Sequence, residues 1–212
     1  QNGTDFGLTG GIHSLDPVEV ARWLDRVEVG NAYINRVITG AIVQRQPFGG
    51  WKKSSVGGSA KAGGPGYVQQ FAAISNPTDS TVDAFIASYR SAHADWFTQE
   101  HDPSGLAAES NVLRYLPLAG VLVRHDGSDP EALELLRTAA TTTGVKLSES
   151  DARLEPPDQF EARLTQRVGR VRLLWEDLEA RQACHRAGVA VDSDPPSADG
   201  FIELSRWFRE QA

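Results

Sequence analysis

A glycine-rich segment between Thr39 and Tyr67 constrains the fold of this chain most strongly. It reads TGAIVQRQPFGGWKKSSVGGSAKAGGPGY and holds eight of the 20 glycines in the 212 residues. Aromatic, basic and proline positions alternate with the glycines, so the segment is not of low complexity. Because glycine has no Cβ, it lets backbone approach a ligand or a neighbouring strand closely. The segment therefore predicts a closely packed, mostly irregular region with a binding loop.

The net charge of −7 and the single cysteine narrow the classes of function. Nucleic acids and anionic membranes reward clustered lysine and arginine, and the sequence has no basic run. We therefore expect no nucleic-acid partner. No apolar stretch of the sequence is long enough to cross a membrane, so we expect no integral membrane segment. One cysteine excludes an internal disulfide framework and is typical of a reducing, cytoplasmic location.

Residues 1–76 contain one clear helix signal. Asp16 followed by Pro17 is typical of a helix start, with aspartate as the N-cap and proline in the first turn. Alternating apolar residues predict two strands in this region, over Val29–Ile34 and Tyr67–Ile74.

A long amphipathic helix is predicted after Pro77. Apolar residues recur along one stripe from Val82 to Phe97, and a turn cluster begins at Asp102. We expect this helix to bridge two regions of the chain, as a helical linker over residues 77–107.

Residues 108–212 alternate between strand and helix patterns. A capping box at Ser128-Asp129-Pro130-Glu131 predicts the first helix, and the last helix is expected to reach Phe208. The predicted strands are Ala119–Arg124, Val145–Leu147, Val171–Trp175 and Val189–Val191. Four strand–helix units predict a small, doubly wound parallel α/β domain.

Several phrases of the sequence resemble one family of enzymes. GLTGGIHSLD (Gly7–Asp16), GNAYINRVITG (Gly30–Gly40) and the glycine-rich segment resemble the end of an aldehyde dehydrogenase. The likeness is to the glutamate-semialdehyde (1-pyrroline-5-carboxylate) dehydrogenase module of bacterial proline utilization A. ESNVLRYLPL (Glu109–Leu118) and DGFIELSRWFREQ (Asp199–Gln211) resemble the Rossmann-like C-terminal domain of the longer members, which performs no chemistry.

The resemblance implies a division into three parts. Residues 1–76 would be the C-terminal piece of an aldehyde dehydrogenase catalytic domain, with residues 67–74 in its oligomerisation arm. The long helix would join it to a noncatalytic, Rossmann-like domain over residues 108–212. The family's catalytic cysteine loop has no counterpart in this sequence. We therefore expect a fragment that is inactive alone and works with the rest of the same polypeptide. A homo-oligomer is a further expected partner.

The resemblance also implies a reaction and cofactors. The longer protein would oxidise glutamate semialdehyde with NAD, and it would be fused to an FAD-dependent proline dehydrogenase. The fragment itself would bind neither cofactor. Its contribution would be substrate binding by Gly40, Ala41 and Phe48. Backbone N–H groups around Gly40 and Ala41 would hold the substrate carboxylate as an anion nest, and Phe48 would contact the methylene groups. The alternative is that Gly40 only makes a turn and Phe48 only fills a core.

Other candidate residues favour structural roles. Lys52, Lys53 and Lys61 are expected to be solvated. Cys184 lies at a core position of a predicted helix and is expected to be buried rather than nucleophilic. The five histidines show no metal-ligand spacing.

Two further interpretations remain open from the sequence. The turn after the first strand of residues 108–212 has acidic Asp126 and Asp129 where a dinucleotide fold binds pyrophosphate, which disfavours a nucleotide site. Residues 108–212 would then be a lid or an oligomerisation module. Alternatively, the parent protein is an aldehyde dehydrogenase for another substrate.

Overall fold

A computed structural model describes residues 1–42, 45–55, 58, 60–165 and 167–212. The strands are β1 (Phe6–Gly7), β2 (Thr9–Ile12), β3 (Asn31–Ile34), β4 (Trp51–Lys52), β5 (Arg114–Pro117), β6 (Val121–His125), β7 (Leu147–Asp151), β8 (Arg170–Leu173), β9 (Ala190–Asp192) and β10 (Phe208–Gln211). The α-helices are α1 (Pro17–Leu24), α2 (Val82–Ala92), α3 (Pro130–Thr143), α4 (Pro157–Ala162), α5 (Leu178–Ala187) and α6 (Gly200–Ser205).

The chain divides into two compact units. The first comprises residues 1–71, 99–116 and 209–212. The second comprises residues 72–98 and 117–208. Because the last four residues return to the first unit, each unit is built from segments that are distant in the sequence.

Short strand pairs and one exposed helix characterise the first unit. β1 pairs antiparallel with β4, and β2 pairs parallel with β3, with Thr9 opposite Asn31 and Ile12 opposite Ile34. The predicted helix start is confirmed, since the Asp16 carboxylate accepts a hydrogen bond from the backbone N–H of Val18. α1 buries none of its residues, so this helix adds little to the core.

The strand predicted over residues 67–74 is wrong. A 3₁₀ helix covers Val68–Phe71, and the rest of that stretch has no strand. Tyr67 follows a Gly-Gly-Pro-Gly turn, and its N–H bonds to the carbonyl of Gly64, which starts helical turns instead of an extended chain. Val68 and Phe71 are about three-quarters exposed, at 73% and 76%.

A parallel four-stranded sheet forms the centre of the second unit. Its strand order is β7-β6-β8-β9, so the order reverses between β6 and β8, as in doubly wound folds. The predicted α/β fold class is confirmed. Leu122, Phe160, Val171 and Cys184 pack in one apolar cluster with α4 and α5. Val121 and Val123, which alternate with Leu122, are also buried and face the other side of the sheet.

The long helix after Pro77 exists and has an irregular end. α2 continues into a π-helical turn over His93–Phe97. α2 packs against α3 and α6, which all belong to the second unit. Its predicted role as a bridge between two regions stays a prediction.

Two helix boundaries differ from the prediction. The N-cap of α3 is Asp129 rather than Ser128, because the Asp129 carboxylate accepts from the N–H of Ala132. The Ser128 hydroxyl donates instead to the Asp126 carboxylate. The last helix ends at Ser205, and Phe208 begins β10. Just before β10, the carbonyl of Trp207 accepts a hydrogen bond from the N–H of Leu118.

Strand β7 differs from its predicted position, and α4 is short. β7 reads LSESD and lies C-terminal to the apolar run that predicted it. It occupies the edge of the sheet, where one side of the strand lacks a neighbour and polar residues are tolerated. α4 ends at Ala162, so Leu164 and Val168 pack on the apolar cluster from a loop.

Within the described residues, none of the helices combines the length and apolar character that a membrane span requires.

Candidate functional site

The predicted anchor loop at Gly40 and Ala41 is exposed and has no regular secondary structure. Gly40 has φ +84°, in the left-handed region that side chains with a Cβ rarely adopt. A Cβ added at Gly40 would meet no atom within 4 Å. The conformation, and not the space, is therefore what requires glycine here.

A cavity of about 660 Å³ is lined by residues that precede this loop in the sequence. Its lining includes Gly11, His13, Arg36 and Thr39, but not Gly40, Ala41 or Phe48. Arg36 is held on one side by the Glu109 carboxylate at 3.6 Å and lies over the Tyr33 ring. Gly40 and Ala41 are adjacent in the sequence, whereas Phe48 follows further along the chain, and no hydrogen bond or ring contact among the described residues joins the loop to Phe48. Val43 and Gln44, between them, lie outside the described residues.

Phe48 is half-buried and belongs to a rigid backbone segment. Its N–H donates to the carbonyl of Ala62 at 3.0 Å, and the N–H of Ala62 donates back to the carbonyl of Phe48 at 3.1 Å. Such a reciprocal pair fixes the backbone of Phe48 and thus the direction of its Cα–Cβ bond, from which the ring extends.

Asn31 binds the backbone on both sides of Phe48. It is fully buried at the start of β3. Its amide nitrogen donates to the carbonyl of Pro47 at 3.0 Å, and its amide oxygen accepts from the N–H of Gly49 at 3.1 Å. A single asparagine in a strand carries no sequence pattern, so nothing in the sequence points to this residue.

Lys61 is the largest departure from the sequence prediction. The prediction of a solvated side chain is wrong, since Lys61 is completely buried. Its Nζ donates to the carbonyl of Gly49 and lies 3.4 Å from the Asn31 amide oxygen. Its N–H donates to the Glu210 carboxylate at 2.7 Å. The small residues on either side of Lys61 in the sequence were the available signal, because they let neighbouring backbone close over the side chain.

Burial changes the proton affinity of both charged groups. Desolvation lowers the pKa of Lys61 to about 7, although the nearby Glu210 carboxylate acts in the opposite direction. Desolvation likewise raises the pKa of Glu210 above its usual value. By contrast, Lys53 is exposed and pairs with Asp5, and Lys52 is half-buried and pairs with Glu28 at 2.6 Å.

In the second unit, Cys184 is a buried core residue, as predicted. It lies in α5 with no exposed surface, and desolvation raises the pKa of its thiol to about 11. Since the thiolate is the nucleophilic form, this thiol is unsuited to attack an aldehyde. Among the described residues, no group of three or more His, Cys, Asp or Glu side chains has the arrangement of a metal site.

The point where the strand order reverses is occupied by a protein side chain. Doubly wound folds bind ligands at the carboxyl ends of the strands at this point. Here Arg124, near the end of β6, is buried and donates to Asp177 at 2.9 Å and to Ser150 at 2.8 Å. Its guanidinium lies over the Phe160 ring. The carboxylates of Asp126 and Asp129 follow β6, so this turn does not fit a pyrophosphate group.

Comparisons with known proteins place a family signature in the first part of the chain. Residues 1–76 match the aldehyde dehydrogenase family. The chain is 49% identical over 70 residues to the 1-pyrroline-5-carboxylate dehydrogenase of Oceanobacillus iheyensis. It is 46% identical over 67 residues to the enzyme of the same name from Bacillus subtilis. These matches cover about a third of the chain (33% and 32%) and 13% of each relative.

A solved structure is similar to the whole chain. Proline Utilization A from Corynebacterium freiburgense matches 100% of the chain, with 41% sequence identity and a TM-score of 0.79. The chain spans 23% of that protein. The resemblance to proline utilization A that the sequence motifs indicated is therefore confirmed.

Proposed function

We propose that the chain is the C-terminal part of an NAD-dependent glutamate-semialdehyde (1-pyrroline-5-carboxylate) dehydrogenase, within a bifunctional protein that also oxidises proline. The observation that carries this proposal is the 41% identity to a Proline Utilization A over the full length of the chain. The named dehydrogenases that match the first third of the chain support the substrate. A reducing cytoplasm suits its single buried thiol.

The chain's own contribution would be to hold the substrate. Glutamate semialdehyde carries a carboxylate at the end opposite its aldehyde. The exposed loop at Gly40 and Ala41, with Gly40 in the left-handed region, suits an anion nest of backbone N–H groups. The half-buried ring of Phe48 would contact the methylene groups. A substrate bound by its far end presents its aldehyde to groups outside this chain.

Chemistry would come from the rest of the polypeptide. Aldehyde oxidation through a thioester needs a thiolate and a hydride acceptor, which NAD supplies. The buried thiol of Cys184 and the acidic turn after β6 provide neither a nucleophile nor a pyrophosphate site. We therefore expect NAD, and FAD for proline oxidation, to bind elsewhere in the parent protein.

The second unit would have a noncatalytic role. Arg124 fills the position where a doubly wound domain binds its ligand. Residues 108–212 would then act as a covering domain. Residues 67–74 would take part in oligomerisation, which the exposed side chains of Val68 and Phe71 favour.

NADH production from glutamate semialdehyde tests the proposal. We expect the full-length protein to be active and the 212-residue chain alone to be inactive. Activity of the chain alone would contradict the assignment of the nucleophile to another region. A full-length protein that oxidises other aldehydes but not this one would indicate an aldehyde dehydrogenase of different specificity.

The Gly40→Ala variant tests the anchor loop. A Cβ has space at this position, so the variant changes only the cost of the left-handed conformation, about 1–2 kcal/mol. We expect the KM for glutamate semialdehyde to rise roughly 5- to 30-fold, with the KM for NAD unchanged. Gly3→Ala, at another site with open space, is the matched control. Equal KM values in both variants would contradict a role for Gly40 in binding.

A further inference from the structure

We propose that Gly30, Asn31 and Lys61 form a cradle that positions Phe48 against the substrate, and that Asn31 and Lys61 are positioning residues for substrate binding. The inference rests on the proposed function, because it concerns the wall of the same site. The buried side chains of Asn31 and Lys61 act on the backbone and not on the ring: they donate to the carbonyls of Pro47 and Gly49, on either side of Phe48.

The hydrogen bonds of the cradle are consecutive along the backbone. The carbonyl of Pro47 accepts from Asn31, and the N–H of Gly49 donates to Asn31. The carbonyl of Gly49 then accepts from the Nζ of Lys61. Between them, the N–H and the carbonyl of Phe48 both bond to Ala62. Every backbone polar group from the Pro47 carbonyl to the Gly49 carbonyl therefore has a fixed partner.

Gly30 provides the space in which the cradle closes. A Cβ at this position would lie 1.9 Å from the carbonyl oxygen of Gly49 and 2.8 Å from the Nζ of Lys61. The backbone of Gly30 has no freedom to retreat, because its N–H donates to the carbonyl of Gly7 and its carbonyl accepts from the N–H of Ala212. Any side chain at residue 30 must displace the Gly49 carbonyl.

Burial of this polar cluster needs a reason beyond the stability of the fold. A buried lysine is costly, and an apolar residue of similar volume would fill the same space at lower cost. The Nζ of Lys61 instead donates to the carbonyl of Gly49, next to Phe48, and the Glu210 carboxylate favours its charged form. The arrangement fixes one short segment with more precision than apolar packing would give.

The test uses the full-length protein with the variants Asn31→Asp, Gly30→Ala and Phe48→Ala. Asn31→Asp keeps the shape and the acceptor for the N–H of Gly49 but loses the donor to Pro47. We expect the KM for glutamate semialdehyde to rise by about 10- to 100-fold in both cradle variants, with the KM for NAD unchanged. Gly3→Ala is the unchanged control. Gly30→Ala is the harsher variant, and Asn31→Asp gives the answer where Gly30→Ala fails to fold.

A double-mutant cycle separates positioning from general stability. If Asn31 acts through Phe48, the Asn31→Asp/Phe48→Ala protein will have the same KM as Phe48→Ala alone. Three results would each overturn the cradle. The first is a double variant in which the two increases in KM multiply; the others are an unchanged KM in Asn31→Asp and an unchanged KM in Phe48→Ala. A wild-type protein that is active only on other aldehydes would overturn the proposed function instead, because the cycle can still be measured with those aldehydes.

Discussion

The second unit builds its centre from a regular parallel sheet, whereas the first unit joins two-residue and four-residue strands through glycine-rich loops. In the sheet, β6 and β8 are buried along their whole length, and their core neighbours are mostly aliphatic. In the first unit, Asn31, Lys61 and Glu210 are buried and bond to backbone from distant parts of the sequence. The apolar cluster of the second unit and the buried polar contacts of the first unit are thus different kinds of core.

This difference shows where the precision of each unit comes from. Apolar packing tolerates exchanges of similar volume, because it has no preferred direction. A buried hydrogen bond has a direction and is costly to leave unmade. The first unit, which carries the proposed anchor, therefore depends on a few directional contacts. The second unit has such contacts as well, around Arg124 and in a cluster of buried charges around Glu203.

The largest expected effect lies in that cluster. Glu203 is completely buried and accepts from Arg172 at 2.6 Å and from Arg206 at 3.2 Å. Burial alone would raise the pKa of Glu203, but the two arginines lower it below its usual value. Glu203→Gln leaves the arginines without this counter-charge and should lower the local stability of the second unit by about 3–5 kcal/mol. Hydrogen exchange of the amides in β8 and α6 would measure the change.

The matched control is an ion pair at the surface of the same unit. Glu161 and Arg186 form a bidentate pair, but both side chains are about half exposed (43% and 58%). Glu161→Gln should leave the same amides unchanged, because solvent screens the pair. Equal effects of the two variants would show that burial does not distinguish the cluster.

The second prediction concerns the pH dependence of the first unit. Lys61 has a folded-state pKa of about 7, below its ordinary value of 10.5. Between these values the unfolded state binds a proton that the folded state does not, so stability should increase as the pH rises above 7. The increase is at most about 1.4 kcal/mol per pH unit. It should appear as greater protection of the Lys61 amide, after correction for the intrinsic exchange rate at each pH.

Lys61→Met should abolish this increase in the first unit. Glu210 acts with the opposite sign, since its pKa is raised: its contribution is present at low pH and is lost as the pH rises through its folded pKa. The amides of β8 should show neither effect. A pH-dependent increase that persists in Lys61→Met, or that appears equally in β8, would contradict the assignment to Lys61.

The sequence predicted the second unit better than the first. The helices of the second unit have strong end signals in the sequence: Gly144 follows α3 and Gly188 follows α5, and both adopt the left-handed conformation that ends a helix. The errors fell on β7, an edge strand with polar residues, and on β10, whose pairing depends on distant backbone. Local periodicity contains no information on either.

In the candidate site, the sequence pointed to Gly40, Ala41 and Phe48 and missed the buried residues that bond to the backbone beside Phe48. Gly40 adopts a left-handed conformation, and its role in binding stays a prediction. Asn31 and Lys61 gained their importance only from three-dimensional neighbours. Lysine is almost always exposed, so the sequence predicts a solvated Lys61. That rule fails here, because the Nζ donates to the carbonyl of Gly49 inside the fold and the Glu210 carboxylate lies nearby.

The smallest expected effect is the loss of an N-cap hydrogen bond, which can be made in one helix of each unit and compared. The carboxylates of Asp16 and Asp129 each accept a hydrogen bond at 2.8 Å within the first turn of α1 and α3. Replacing either by alanine should cost its helix about 1 kcal/mol. α1 buries no residue, so Asp16→Ala should lower protection in α1 alone.

α3 buries seven residues, so the loss in Asp129→Ala should extend beyond the helix to the amides of β6. Hydrogen exchange of both variants measures how far each loss spreads. If Asp16→Ala also lowered protection in β3, α1 would be coupled to the strand that carries Asn31. The exposed helix would then stabilise the anchor segment in spite of its missing core contacts, and the contrast between the two units would be smaller than their packing indicates.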